Sequence, residues 1–110
     1  MNQRIVDHFN HSAQTALASG ESLADDILRA SKAMLDTLDN GGKLLLCGYG
    51  GSAADAMHFS AELLVRFQKE RKALPAVALV SDTATLTATG NDYAFDQIFS
   101  RQIEALAASG

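Results

Sequence analysis

A single cysteine among 110 residues excludes an internal disulfide and agrees with a reducing compartment. An excess of basic charge is missing as well. Nine Lys and Arg are scattered along the chain against thirteen Asp and Glu, and the net charge of -4 offers no basic face for nucleic acid. No apolar run approaches the roughly 20 residues of a membrane span. The opening MNQRIVDHFNHS is polar and lacks the apolar centre of a signal peptide. The expected location is therefore cytoplasmic, with neither a membrane nor direct nucleic acid as partner. Internal repeats, low-complexity tracts and linker-like segments are absent. With 47% hydrophobic residues, the chain has the size and content of one domain able to bury a core of its own.

Apolar periodicity then organises the chain. Ile5, Phe9, Ala13, Ala16 and Leu17 recur at helical spacing, and Leu23, Ile27, Met34, Leu35 and Leu38 form a second series after Ser19-Gly20. This predicts two amphipathic helices, over residues 2–18 and 21–39, whose apolar stripes must pack on something; another subunit is the natural choice. Asn40, Gly41 and Gly42 predict a left-handed helix end, and Lys43 leads into a first strand, Leu44 to Cys47.

A glycine turn and a helix from about Ser52 to Phe67 follow, ending in the charged run Gln68 to Lys72. The only proline, Pro75, introduces a second strand, Ala76 to Val80. Both strands are continuously apolar, as strands covered on both faces are, so a parallel pair with a right-handed βαβ crossover is expected. A Thr-rich turn or short helix over Thr83 to Thr89, a loop at Gly90, Asn91 and Asp92, and a last helix carrying Phe95, Ile98, Phe99, Ile103 and Leu106 complete the pattern. Two strands are few where sheets usually carry about four to six. Residues 42–110 therefore read as the first part of a larger α/β domain, preceded by an N-terminal helical pair over residues 1–41.

The stretch CGYGGSAADAMHFSAE, Cys47 to Glu62, concentrates the chemistry. Gly48, Gly50 and Gly51 allow a tight turn whose backbone approaches a ligand closely. Ser52, with Asp55 three residues on, predicts an acidic capping box at a helix start, where free N–H groups face an anion such as phosphate. The loop has no Gly-Lys-Ser/Thr, and GYGGS does not match GxGxxG, so a nucleotide is not the favoured ligand. His58 and Glu62, four residues apart, project from one helix face at the spacing that two ligands of one metal ion require. Taken singly, a histidine here is more often a satisfied core or interface residue and a glutamate a solvated one. Taken together, on a helix apolar on most sides, the carboxylate needs a partner, which is either a metal or the histidine itself.

Two ligands do not make a tight zinc site, and His8 and His11 are too distant in sequence to assign. Ser81, Asp82 and Thr83 follow the second strand, where open parallel sheets bind ligands, although Asp82 reads first as a helix cap. Asn91-Asp92 reads as a turn. Arg66, Arg71 and Lys72 read as a solvated helix end able to attract a sugar phosphate. Cys47 reads as a small buried hydrophobe.

CGYGGSAADAMHFSAELLVRF, followed by LPAVALVSDTATLTATGNDYAFDQIFSRQIEAL, closely resembles the N-terminal part of the bacterial phosphoheptose isomerases, which are SIS (sugar isomerase) domain proteins. The resemblance keeps one register from about Gly42 to Leu106, and the leading helices also fit. It implies a three-layer αβα domain with a parallel sheet. It also implies a homotetramer with zinc between subunits, and an aldose–ketose isomerisation of sedoheptulose 7-phosphate to D-glycero-D-manno-heptose 7-phosphate through an enediol, toward lipopolysaccharide heptose.

By the same resemblance His58 and Glu62 match zinc ligands, and Glu62 also matches the glutamate that moves the proton between sugar carbons. Ser52 matches a phosphate-contacting serine, Tyr49, Gly50 and Gly51 occupy the substrate loop, and Asn91 and Asp92 match a pair that contacts the sugar. Two departures stand out. Tyr49 replaces the Asn of the usual CGNGGS. The family's STSGxS phosphate loop and later Gln and His zinc ligands belong to the second half of the domain, so the 110-residue polypeptide alone is expected to be inactive. Paralogues in the family bind the replication initiator protein without known catalysis. Such a non-catalytic binding module is the alternative function, and Glu62 favours the isomerase because a pure binding module has no need of it.

Overall fold

A computed structural model describes residues 1–109. The chain divides into two compact units, Met1–Asp36 and the chain from Thr37 onward. Most of the first unit is helix α1, Asn2–Asp39, a single element of 38 residues that carries no buried residue. The break expected at Ser19-Gly20 does not occur, so one helix stands where two are expected. The physical reason is the balance of costs. A glycine inside a helix costs about 1 kcal/mol, whereas a break would leave two further sets of unpaired backbone groups. A Cβ at Gly20 would meet nothing within 4 Å, so the helix passes this point without a packing constraint.

The second unit begins with the last turn of α1. Gly41 has φ 78°, its N–H donates to the Leu38 carbonyl at 3.1 Å, and the Gly42 N–H donates to the Thr37 carbonyl at 2.8 Å. This pairing of 5→2 and 6→1 bonds is the Schellman closure, as the Asn-Gly-Gly run predicts. Strand β1, Leu44–Leu46, then pairs in parallel with β2, Ala76–Ala78, in the register Leu44–Ala76, Leu45–Val77 and Leu46–Ala78. Pro75 lies one residue before β2, where its missing N–H costs nothing, and its carbonyl accepts from the Leu44 N–H at 3.0 Å.

Between the strands runs α2, Gly51–Leu64, which ends three residues before the expected Phe67. Small residues Ala56 and Ser60, one turn apart, are its buried positions and let the helix lie close on the sheet. The buried Ser60 hydroxyl is satisfied by donating to the Ala76 carbonyl at 3.3 Å. The core of this unit centres on Ala56, Ala76, Leu79 and Ile98. Gln102 fastens the C-terminal elements to it by donating from Nε2 to both the Leu79 and Ile98 carbonyls at 2.9 Å.

After β2 comes α3, Thr83–Asp92, longer than the expected Thr83 to Thr89. Gly90, Asn91 and Asp92 are helical, so the loop and turn expected there are absent. The threonine hydroxyls follow the helix instead of competing with it: Thr87 and Thr89 bond back to the Thr83 and Thr85 carbonyls at 2.7 and 2.8 Å. A 3₁₀ turn, Phe95–Gln97, and a short α4, Ser100–Leu106, replace the single last helix.

Asp82 caps α3, as its position after β2 predicts. It accepts from the Thr85 N–H at 3.2 Å and the Thr85 hydroxyl at 2.6 Å. The hydroxyl bond and then the amide bond hold its carboxyl below the ordinary 3.8. Its stabilising contribution is therefore full above the unfolded-chain value and lost as pH falls through the lower folded value. The expected outcome is that the Thr85 amide signal shifts below about pH 4 and that this acid-dependent shift disappears in Asp82→Asn, followed by NMR titration.

Candidate functional site

The glycine loop leaves β1 at Leu46 and turns into α2 within four residues. Gly50 occupies the cap position at φ 56°, ψ -118°, a conformation open to glycine and strained for other residues. The helix consequently starts at Gly51, one residue earlier than expected. Ser52 falls inside the first turn, its N–H donating to the Tyr49 carbonyl at 3.0 Å, and no side-chain cap bond forms. The Ser52–Asp55 capping box expected from the sequence is thus replaced by a glycine cap. The hydroxyl remains exposed beside the early N–H groups of α2, which carry the positive end of the helix dipole. Cys47 is exposed rather than buried, because the chain has already left the sheet at that point.

Tyr49 is held by aromatic contacts. Its ring stacks on Phe95 at 5.5 Å between centroids and tilts against Phe99 at 5.2 Å. Together with Gly48, Gly50, Val80 and Leu86, these rings wall a cavity of about 510 Å³ outside the carboxyl ends of the strands. That is where an open parallel sheet offers a ligand site. Gly51 and Ser52 are not among its lining residues, nor are Asn91 and Asp92; Leu86, Thr87 and Gly90 are the residues of α3 that reach it. The Asn91 amide donates to the Asp92 carboxylate at 3.0 Å, and both side chains are exposed at the end of α3. Truncation by Tyr49→Ala removes both ring contacts and is expected to cost about 1 kcal/mol in urea denaturation; Tyr49→Phe keeps the contacts and the stability.

The His58–Glu62 pair meets directly. Nε2 and Oε1 are 2.9 Å apart, with the histidine side chain 74% and the glutamate side chain 38% exposed. The partner that the carboxylate needs is therefore supplied by the same helix. As a metal centre the pair offers an imidazole nitrogen and a carboxylate oxygen, both donor types that zinc takes. Among the described residues no group of three or more His, Cys, Asp or Glu gathers to hold an ion. The donors present fit half of a tetrahedral site.

Glu62 also lines a second cavity of about 430 Å³ with Phe59, Leu63, Phe67, Arg71 and Leu74. The loop half and the glutamate half of the motif thus open into two different cavities. Two features escape the sequence reading. Phe95 and Phe99, legible only as an i,i+4 apolar pair, form the wall facing Tyr49. Arg71, within what reads as a solvated charged run, is half-buried and bonded to backbone carbonyls.

A family model described as SIS domain matches residues 8–110. Over all 110 of its residues the chain is 54% identical to the phosphoheptose isomerase of Shewanella loihica and 50% identical to that of Thiobacillus denitrificans, covering 56% of each. Among solved structures, phosphoheptose isomerase GmhA from Neisseria gonorrhoeae matches with a TM-score of 0.90 at 44% identity, over 98% of this chain and 55% of that one. A phosphoheptose isomerase from Francisella tularensis matches at 0.92 and 45% identity, over 97% and 56%. The chain spans a little over half the length of the curated relatives it matches. Among the described residues no helix is long and apolar enough to cross a membrane.

Proposed function

The chain belongs to the SIS domain family, and on that premise we propose that it serves an aldose–ketose isomerisation of a sugar phosphate. The substrate of this reading is sedoheptulose 7-phosphate and the product D-glycero-D-manno-heptose 7-phosphate, a cytoplasmic step toward lipopolysaccharide heptose. The observation that carries it is the His58–Glu62 pair, a carboxylate on a half-buried helix position with an imidazole 2.9 Å away.

In the ketose-to-aldose direction the Glu62 carboxylate removes a proton from C1. The C–H electron pair becomes the C1–C2 double bond of an enediol, and the C2 carbonyl oxygen gains a proton. Return of the carbon-bound proton to C2, with loss of the hydroxyl proton at C1, completes the isomerisation with no external oxidant or reductant. His58 orients the carboxylate. Tyr49, Gly50 and Gly51 present backbone N–H groups and Ser52 its hydroxyl to the sugar phosphate, and Asn91 and Asp92 contact the sugar hydroxyls. His58 and Glu62 would hold zinc together with ligands from outside the described residues, and bound zinc would polarise the sugar carbonyl.

Glu62 follows Ser52 by ten residues on α2, about 15 Å along the helix axis, whereas an extended heptose phosphate with C–C bonds near 1.5 Å spans about 10 Å. This separation supports a shared site, in which the loop of one chain and the glutamate of another face one substrate, within a homotetramer. The test is turnover of sedoheptulose 7-phosphate by the protein expressed from its own gene, with elemental analysis for zinc and light scattering for the oligomer. Absence of turnover and of metal, together with capture of the replication initiator, would overturn the isomerase reading in favour of the non-catalytic binding module, a role in which Glu62 has no task.

A further inference from the structure

We propose that Arg71 is a positioning residue for Glu62, acting through the backbone at the C-terminal end of α2; the functional part of this proposal rests on the isomerase reading. Helix α2 ends at Leu64, and Val65, at φ -97° and ψ -80°, turns the chain out of the helix. The Ala61 carbonyl is still served by the Val65 N–H at 2.9 Å, but the next two carbonyls, Glu62 and Leu63, have no partner within the helix.

The following segment supplies one. It reverses at Gln68, φ 59°, where the Lys69 N–H donates to the Phe67 carbonyl at 2.7 Å, and returns along the end of α2. From there Arg71 donates from Nη2 to the Glu62 carbonyl at 2.6 Å and from Nη1 to the Leu63 carbonyl at 2.9 Å and the Lys72 carbonyl at 3.0 Å. The Leu74 N–H adds a second bond to the Leu63 carbonyl at 3.0 Å.

Three properties of this contact go beyond ordinary capping. The bonds are charge-assisted, and the cation sits at the negative end of the helix dipole. The planar guanidinium bridges two successive peptide planes, and one of them carries the Cα of Glu62, so it fixes the direction in which that side chain leaves the helix. Lysine has a point charge on a flexible stem and cannot reproduce this bridge. Arg71 and Glu62 also line the same cavity of about 430 Å³, so the space vacated by a truncated arginine is open to a small guanidinium ion.

Arg71 touches the peptide of Glu62 and not its carboxylate, which makes its role one of placement. Placement errors near 1 Å cost about 100-fold in rate.

The test uses the protein expressed from its own gene and the variants Arg71→Ala and Arg71→Lys, with sedoheptulose 7-phosphate as substrate. For Arg71→Ala, kcat is expected to fall by about 10- to 100-fold with KM little changed. Millimolar guanidinium is expected to restore part of kcat in Arg71→Ala and none in Glu62→Gln. Arg71→Lys is expected to lie between Arg71→Ala and the wild type, and amide exchange at Leu74 to quicken in both arginine variants. Unchanged kcat in Arg71→Ala, or a loss shared between kcat and KM that guanidinium does not rescue, would overturn the proposal. A wild type with no turnover would sink the isomerase reading instead. The Leu74 exchange rate would then decide the proposal alone, unchanged exchange in Arg71→Ala refuting the tie and faster exchange supporting it.

Discussion

Glu62→Gln is expected to lower isomerase turnover by about 100- to 10,000-fold, the range that a positioned general base contributes, or about 3–5 kcal/mol of transition-state stabilisation. The amide keeps the size and shape of the carboxylate and can still meet His58, but it cannot accept a proton from carbon. Little of the loss should come from folding. Glutamate and glutamine have nearly equal helix propensity, and the side chain is 38% exposed with one partner, His58. An i,i+4 surface pair of this kind contributes about 0.3–0.5 kcal/mol.

The kinetic and structural effects are therefore separable: denaturation midpoints of Glu62→Gln and wild type should nearly coincide while kcat differs by orders of magnitude. Glu62→Asp sharpens the point, since it keeps the base and withdraws it by one methylene, and is expected to lose about 100-fold through misplacement. Wild-type kcat in Glu62→Gln, measured on the protein expressed from its own gene, would remove Glu62 from the chemistry and with it the central residue of the mechanism.

The parts of this molecule that were legible in its sequence are those set by local rules. Leu44 to Cys47 and Ala76 to Val80 were readable as a parallel pair because continuous apolar runs separated by a helix leave few other arrangements, and the pairing holds over the shorter strands Leu44–Leu46 and Ala76–Ala78. The Schellman end at Gly41-Gly42 and the Asp82 cap were readable because each depends on residues within five positions of one another. His58 and Glu62 meet because helical spacing alone brings them together.

The misreadings arose where a local signal was outweighed. Ser52 is a good cap residue, but the glycines on its N-terminal side let Gly50 take the cap two positions sooner. Gly90-Asn91-Asp92 carries turn chemistry, but Thr87 and Thr89 bond their hydroxyls back along the helix and α3 continues through it. The Tyr49 contacts with Phe95 and Phe99 and the Arg71 contacts with the end of α2 join positions that no sequence periodicity links. They depend on where the chain returns in space, and this is also why the arginine most intimately tied to Glu62 looked like surface charge.

Gly48→Ala is the second substitution expected to have a large effect, this time on the loop and through sterics alone. A Cβ at this position would lie 2.7 Å from the carbonyl carbon, the Cβ and the carbonyl oxygen of Ser52, closer than such contacts occur in real structures. Relief by movement of Ser52 is blocked, since its N–H is bonded to the Tyr49 carbonyl and it belongs to the first turn of α2. Relief by movement of the loop is opposed by the Tyr49 ring, packed against Phe95 and Phe99. The strain of such overpacking is about 1–3 kcal/mol, which in a domain of this size lowers Tm by roughly 5–20 °C.

The neighbouring glycines separate sterics from backbone conformation. At Gly51 an added Cβ meets nothing within 4 Å, and Gly51→Ala is expected to leave Tm unchanged or slightly raised, since alanine favours the helical turn. At Gly50 there is also space, but φ is 56°, so Gly50→Ala should destabilise by strain without a clash. Thermal melts of the three variants should therefore rank Gly51→Ala above Gly50→Ala and Gly48→Ala. Added sugar phosphate should raise the Tm of the wild type but not of Gly48→Ala, because the displaced loop no longer presents its N–H groups in register. A Gly48→Ala protein that melts with the wild type and keeps the sugar-phosphate shift would mean that the close approach of Gly48 to Ser52 plays no part in shaping the loop.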